Sequence, residues 1–399
     1  MNYIINKLWL VCFVFISSFS MAQDTTHLMF VGHSDRIKTL DSLIEQSPRL
    51  ALRKSDYSNA FKKATNATEH QDSLYTQVAI RFFTHLAYGN QVPKLQFDGA
   101  KFKLNAYNVP SLLNEYLQAK SLDSLVQYFT NSAEEVKTLL HTLHNYQDSN
   151  SKATTKINLL VKATNEYRWL NAVRQDTRVI LVNIPSAQLK AFEGNQIALS
   201  MRVVVGKLST PTNTLSSTVE KIVIHPYWVV PKSIATKEML SKILANKDYL
   251  ANNRFQVLDE QYKVVAPEKI DWSTYSETNL PFTFRQATGL DNSLGVLKVE
   301  FNSPFGIYLH DTPEKALFSN KNRFYSHGCM RMEKPMDMGK WLTQNNKMAL
   351  DTINFKIKNK RPNPKIIKIT IPTKVIVWYS LVDFDNKGNV NFYKDWYLK

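Results

Sequence analysis

The sequence predicts an α+β protein: a helical front half, then a β-rich half that carries an inserted segment. Three observations predict it. Residues 23 to about 165 place apolar residues at helical spacing and contain almost no glycine. From about residue 170 to 399 the pattern turns to β-branched runs bounded by glycine, proline and asparagine. Residues 232 to about 282 interrupt that pattern with one helical run and otherwise polar, irregular sequence, as an insertion covering one side of the β domain would.

Each element follows in order. Residues 1–22 read as an export signal. Lys7 supplies the positive start, and Leu8 to Phe19 form an apolar stretch too short to span a bilayer comfortably. Ser20-Met21-Ala22 then gives a small-x-small cleavage pattern before Gln23. An uncleaved anchor is the alternative. No later segment has 18 consecutive apolar residues, so the mature chain is expected to be soluble outside the cytoplasmic membrane.

In the helical region, Ser111 to Lys120, Ser121 to Phe129 and Ser132 to Leu140 each show helical spacing. Ser121 is placed to cap the second run, and Ser132 with Glu135 to form a capping box on the third. Gln147 to Thr155 is polar and serine-rich, so a loop is expected there. In the β-rich region, Thr177 to Pro185 reads as a strand, and Gln188 to Ala198 as a hairpin turning at Gly194-Asn195. Strands are expected at Leu199–Val205, Val219–Ile224, Tyr227–Val230, Val296–Phe301 and Gly306–Leu309, with a helix at Met336–Gln344. Within about 374–396, Lys374–Tyr379 and Asn389–Tyr393 are expected to form a hairpin about Asp385-Asn-Lys-Gly-Asn.

Composition bounds the function. The 399 residues are 44% hydrophobic and 21% charged, which is ordinary for a folded globular protein. The net charge of +16 can attract nucleic acid, anionic lipid or an anionic polymer. There is no zinc-finger spacing, RNA-binding aromatic motif or basic-region heptad, so nucleic acid is not the expected partner. His33, His225, His310 and His327 lack metal-ligand spacing, so no metal or other cofactor is expected.

There are two cysteines, and Cys12 leaves with the signal. Exported compartments are oxidising, and structural cysteines there come in pairs. The lone Cys329 is therefore either a buried hydrophobe or a reactive thiol, and its neighbours decide. The stretch Tyr308-Leu-His310-Asp-Thr-Pro is followed by Ser326-His327-Gly328-Cys329-Met330-Arg331. A cysteine attacks as thiolate, and a histidine can take its proton or form an ion pair with it. His310 ends a different strand and can meet the thiol across a sheet. His327 shares a face with Cys329 only if the chain there is extended. Gly328 permits unusual dihedrals, and the N–H groups of Gly328 to Met330 are candidates to stabilise an oxyanion. Arg331 can hold a substrate carboxylate.

His310, fifteen residues and then Ser326-His-Gly-Cys-Met-Arg331 resemble the signature of the L,D-transpeptidases, the YkuD-type catalytic domain. Leu181–Pro185, Val203–Thr212, His225–Ala235, Phe284–Gly295 and Tyr308–Pro313 are similar to segments of its large periplasmic branch. The resemblance covers about residues 160–399 and, more loosely, 95–146.

It implies a β-rich catalytic domain with a capping subdomain at about 232–282, working in the periplasm on peptidoglycan stem peptides. Cys329 would be the nucleophile, His310 the base, and the Asp311 carbonyl the group that steers His310. Arg331, His327, Ser326, Tyr308 and Trp228 would belong to the substrate site. The implied reaction is a 3→3 cross-link formed through a thioester, with a carbapenem able to mimic the acyl donor. An L,D-carboxypeptidase, or a wall-binding scaffold without turnover, is the alternative. Large relatives often carry a peptidoglycan-binding module before the catalytic domain, for which residues 147–165 leave too little room. Anionic wall polymers are a candidate partner for the basic surface.

Overall fold

The computed structural model describes residues 29–61, 68–149, 153–175, 177–344, 362–385 and 387–398. The expected export signal, Cys12 included, lies outside the described residues. No helix among the described residues is long and apolar enough to cross a membrane.

The front half contains α1 (Ser34–Glu45), α2 (Ser55–Phe61), α3 (Thr68–Tyr88), the short β1 (Phe97–Asp98), α4 (Val109–Ala119), α5 (Leu122–Thr130), α6 (Glu134–Asp148) and α7 (Thr154–Arg174). Apolar stripes of α1, α3, α4 and α5 close on one core that includes Leu40, Phe82, Leu113 and Phe129. Ser121 caps α5, accepting from the Ser124 N–H at 3.2 Å. The capping box expected at Ser132 and Glu135 does not form. Ser132 Oγ instead donates to the Phe129 carbonyl at the end of α5, at 2.8 Å. Glu135 accepts both arms of Arg174, at 2.8 and 2.9 Å. Arg174 is almost fully buried, and a buried guanidinium needs a bidentate carboxylate more than a helix end needs a cap. The loop expected over 147–155 is also shorter than read, because α6 reaches Asp148 and α7 starts at Thr154.

The boundary expected between 165 and 170 falls inside α7. This helix packs on α3 and α6 as well as on the β domain, so its residues 163–174 are all buried. Its polar members reach partners in both halves. Arg168 donates to the Leu50 carbonyl at 2.9 Å, Tyr167 to Asp383 at 2.8 Å, and Glu166 accepts from Ser380 at 2.8 Å.

The β domain opens with β2 (Arg178–Asn183), β3 (Gln188–Glu193), β4 (Gln196–Gly206) and β5 (Leu215–Ile224). The second arm of the expected hairpin and the strand expected after it are one strand, β4. The inserted region follows as β6 (Trp228–Val229), α8 (Lys232–Ile234), a π-helical turn (Ala235–Met239), α9 (Leu240–Ala245), α10 (Tyr249–Asn252), β7 (Phe255–Leu258), β8 (Val264–Val265) and β9 (Thr283–Gln286). It is more regular than its composition predicts. Its strands form a separate sheet in the order β6-β9-β7-β8, over a core that includes Met239, Leu240, Val257 and Phe284. Strands of two to four residues are too short to show an alternation.

The chain returns with β10 (Leu297–Phe301), β11 (Leu309–His310), β12 (Phe324–Ser326), β13 (Met330–Met332), α11 (Pro335–Leu342), β14 (Lys365–Lys368), β15 (Thr373–Trp378), β16 (Val382–Phe384) and β17 (Val390–Phe392). β11 keeps only the end of the strand expected from Gly306, since Gly306 itself sits in a turn at φ +63. The large sheet runs β5-β10-β11-β13-β4-β3-β2-β15, and β15 pairs with β5 again, closing a barrel. Ile180, Val203, Ile222, Val299, Leu309, Met330 and Val375 fill the inside. Val179, Leu181, Ile376 and Trp378 point outward onto α6 and α7. Strand β15 is therefore apolar on both faces and belongs to the barrel. The C-terminal hairpin forms instead between β16 and β17, which corrects the pairing expected for residues 374–379.

Candidate active site

Strand register builds the site. Val299, Leu309 and Met330 stand in one row across β10, β11 and β13, and all three are core residues. The adjacent row is Lys298, His310 and Arg331. Side chains alternate across a sheet, so this second row projects from the opposite face. Tyr308 and Cys329 lie two residues before His310 and Arg331. The Met330 N–H donates to the Tyr308 carbonyl at 3.1 Å, which extends the pairing to them. One alternation thus sends the apolar residues inward and gathers Tyr308, His310, Cys329, Arg331 and Lys298 on one face.

Cys329 leaves a tight turn between β12 and β13. Gly328 holds φ +111, a left-handed conformation that side chains strain. Ser326 Oγ donates to the Cys329 carbonyl at 2.5 Å and accepts the Gly328 N–H at 3.1 Å. Thr212 clamps the turn from outside. Its Oγ1 donates to the Gly328 carbonyl at 2.8 Å and accepts the Gly206 N–H at 2.9 Å. Ser326 is buried and committed to these bonds. It shapes the turn and is not free to bind substrate, which corrects its expected role.

His310 is 5% exposed, and its Nδ1 is 2.5 Å from the Asp311 carbonyl. A carbonyl only accepts, so Nδ1 carries the proton and Nε2 is left with its lone pair. The Asp311 carboxylate is held in turn by the Val296 N–H at 2.9 Å and by Lys315. Gly295, at φ +59, is needed there because a Cβ would fall on that carboxylate.

Burial, then the neighbouring Arg331 and Lys298, push the His310 imidazole down to about 3. Burial pushes the Cys329 thiol above its ordinary value, against the opposing pull of Tyr308, Lys298 and Arg331. Near neutral pH Cys329 is therefore a thiol and His310 a neutral imidazole. Cys329 is a free thiol.

Burial also drives the Tyr308 phenol far above its usual range, so its proton stays in place, and the Cys329 thiol and Glu300 beside it push the same way. The Tyr308 and His310 rings meet edge to face at 5.7 Å. The expected group of oxyanion donors narrows. The Gly328 and Met330 N–H groups are already bonded within the fold. Among the described residues no hydrogen bond of the Cys329 N–H is found, which leaves it as the free donor of the three.

The remaining expected residues separate. Arg331 reaches the site face and is tied to Glu314. Trp228 packs on the core of the inserted region, tilted against Phe255 at 6.0 Å. His327 does not join the thiol. It lies in the turn, with Nε2 2.6 Å from Glu238 Oε1 and 3.3 Å from Lys207 Nζ. Its contact is with the inserted region, and the shared-face geometry of an extended chain is lost.

Sequence reading missed Lys298, Thr212 and Glu238. Lys298 sits 3.9 Å over the Tyr308 ring and 2.6 Å from Glu300. The alternation Leu297-Lys-Val-Glu-Phe marks Lys298 as facing away from the core, but only the register with β11 puts it beside His310. Among the described residues no group of three or more His, Cys, Asp or Glu side chains could hold a metal ion.

Residues 177–348 match the L,D-transpeptidase catalytic domain (YkuD), and residues 22–171 match a scaffold domain. A Haemophilus influenzae protein with a provisional L,D-transpeptidase assignment is 33% identical over 212 residues, 53% of this chain and 42% of its own length. The chain therefore spans less than half of that relative. An L,D-transpeptidase from Mycobacterium smegmatis is 13% identical over 50% of this chain and 58% of its own, with a TM-score of 0.23. L,D-transpeptidase 3 from Mycobacterium tuberculosis is 11% identical over 50% and 60%, with a TM-score of 0.25. Overlaps this low carry no argument, and the architecture rests on the strand pairing above. Less than half of the chain, residues 177–348, is thus similar to the YkuD L,D-transpeptidase catalytic domain, behind a region similar to a scaffold domain.

Proposed function

We propose that this chain is a peptidoglycan L,D-transpeptidase that acts outside the cytoplasmic membrane and uses Cys329 as its nucleophile. The observation that carries the reading is the strand register that puts a free thiol, Tyr308 and a histidine with its Nδ1 held by a carbonyl on one sheet face. The signal-like residues 1–22 support export to the periplasm.

His310 Nε2 takes the thiol proton as Cys329 Sγ attacks the carbonyl between the stem's diamino acid and its terminal D-alanine. Negative charge collects on the carbonyl oxygen, where the Cys329 N–H and the Tyr308 hydroxyl can donate. Collapse breaks the C–N bond, and the departing amine takes the proton from His310. The thioester left on Cys329 is then attacked by the side-chain amine of a second stem. That amine gives its proton to His310, the C–S bond breaks, and His310 returns the proton to the Cys329 thiolate. The product is a 3→3 cross-link. Because His310 is neutral at rest, proton transfer accompanies attack and does not precede it. Arg331 and Lys298 flank the reacting centre and favour donors that carry a carboxylate.

The test is to incubate the protein and Cys329→Ala with a disaccharide-tetrapeptide and to read the products by mass spectrometry. A Cys329-dependent 3→3 dimer is expected. Tripeptide without dimer would assign hydrolysis instead, and unchanged substrate would overturn the proposed donor chemistry.

A further inference from the structure

The outward face of α5 is unusual for an exposed helix. The inward face buries Leu122, Leu125, Val126 and Phe129. The other face presents Ser124, Gln127, Tyr128 and Asn131 at spacings i, i+3, i+4 and i+7. These four residues are uncharged, and the acidic group of the helix, Asp123, lies at its first turn and does not line the cavity described next. All four residues line a single cavity of about 620 Å³, within the size range of small-ligand sites.

The facing wall supplies Tyr107, Tyr116 and Gln175, with Lys120 as the one charged lining group. The tyrosine rings form an angled cluster. Tyr128 meets Tyr107 edge to face at 6.3 Å and Tyr116 at a tilt at 6.2 Å. Tyr128 is still 43% exposed, so ring surface is left for a ligand. The wall is braced from behind by Asn171, which is 1% exposed and donates to the Tyr107 hydroxyl at 3.2 Å and to Ser132 Oγ at 3.3 Å.

Aromatic faces, amide side chains and the absence of any lining carboxylate define the ligand chemistry. Such a wall suits a neutral ring with an apolar face, hydroxyl groups and acetamido groups. It does not suit a charged stem peptide. We propose that this cavity is a glycan-docking site of the scaffold, taking N-acetylated amino-sugar units of a peptidoglycan strand. The proposal rests on the peptidoglycan reading of the catalytic domain and extends it. One polymer held at two places raises the effective concentration of stems at Cys329 without any new contact there.

The test uses the full chain and a soluble β-1,4-linked N-acetylglucosamine tetramer, titrated by calorimetry. Saturable binding is expected. Tyr128→Ala should weaken it about tenfold, the worth of one aromatic contact, and Tyr128→Phe should retain most of it. Turnover of the soluble disaccharide-tetrapeptide should be unchanged in Tyr128→Ala, while activity on polymeric peptidoglycan falls. No saturable binding to the wild type, or equal binding to Tyr128→Ala, would overturn the site. Failure of the catalytic reading would show separately, as absence of any Cys329-dependent product.

Discussion

The barrel edge that carries Cys329 and the inserted region that leans on it are built in opposite ways. At the barrel edge every reactive group is fixed by backbone pairing and buried bonds. Cys329, His310 and Tyr308 sit on adjacent registered strands, and Thr212, Ser326 and Asp311 lock the turn and the ring behind them. The inserted region has its own core and sheet. It reaches the nucleophile turn through side chains, with Glu238 meeting His327. The first arrangement suits chemistry, which needs sub-ångström placement. The second suits access, since a body with its own core can shift against weak exposed contacts without unfolding.

The comparison can be broken by mutation, from large effects to small. His310→Ala removes the base and should lower turnover about 10²–10⁴-fold with the thiol intact. Steady-state rates on the tetrapeptide check this, and wild-type rates would move the base role elsewhere. Thr212→Val leaves the buried Gly206 N–H and Gly328 carbonyl without their partner. It should cost about 1–3 kcal/mol in denaturant unfolding and lower kcat by loosening the nucleophile turn.

The pH response sharpens the same point. With the thiol raised by burial and His310 held neutral, alkylation of Cys329 by iodoacetamide should climb about tenfold per pH unit from pH 6 to 8. A flat rate across that range would mean a preformed thiolate. The smallest effect is expected at the inserted region. Glu238 and His327 are both partly exposed, so Glu238→Gln should change stability by less than about 1 kcal/mol. It should shift KM for the polymeric substrate more than kcat.

What was legible in the sequence follows the same division. His310, Gly328, Cys329 and Arg331 could be singled out because their signal is local: a histidine at a strand end, and a glycine before the one cysteine outside the expected signal. The helical front half could be read because its stripes are periodic. Lys298 and Thr212 could not, because their roles come from register and from contacts more than a hundred residues apart for Thr212 and Gly328. Ser132 and Glu135 carried a correct local signal that a tertiary demand overrode, the buried Arg174 taking the carboxylate. Residues 374–379 fit a hairpin pattern, but a strand apolar on both faces is claimed by the barrel.

The central claim is that Cys329 is an acyl-accepting nucleophile activated by His310. Its most direct test is intact-mass spectrometry of the folded protein after exposure to a carbapenem, with peptide mapping of the modified residue. One adduct per chain, mapped to Cys329 and formed far more slowly in His310→Ala, is the predicted result. An unmodified protein whose Cys329 still titrates as a free thiol would contradict it.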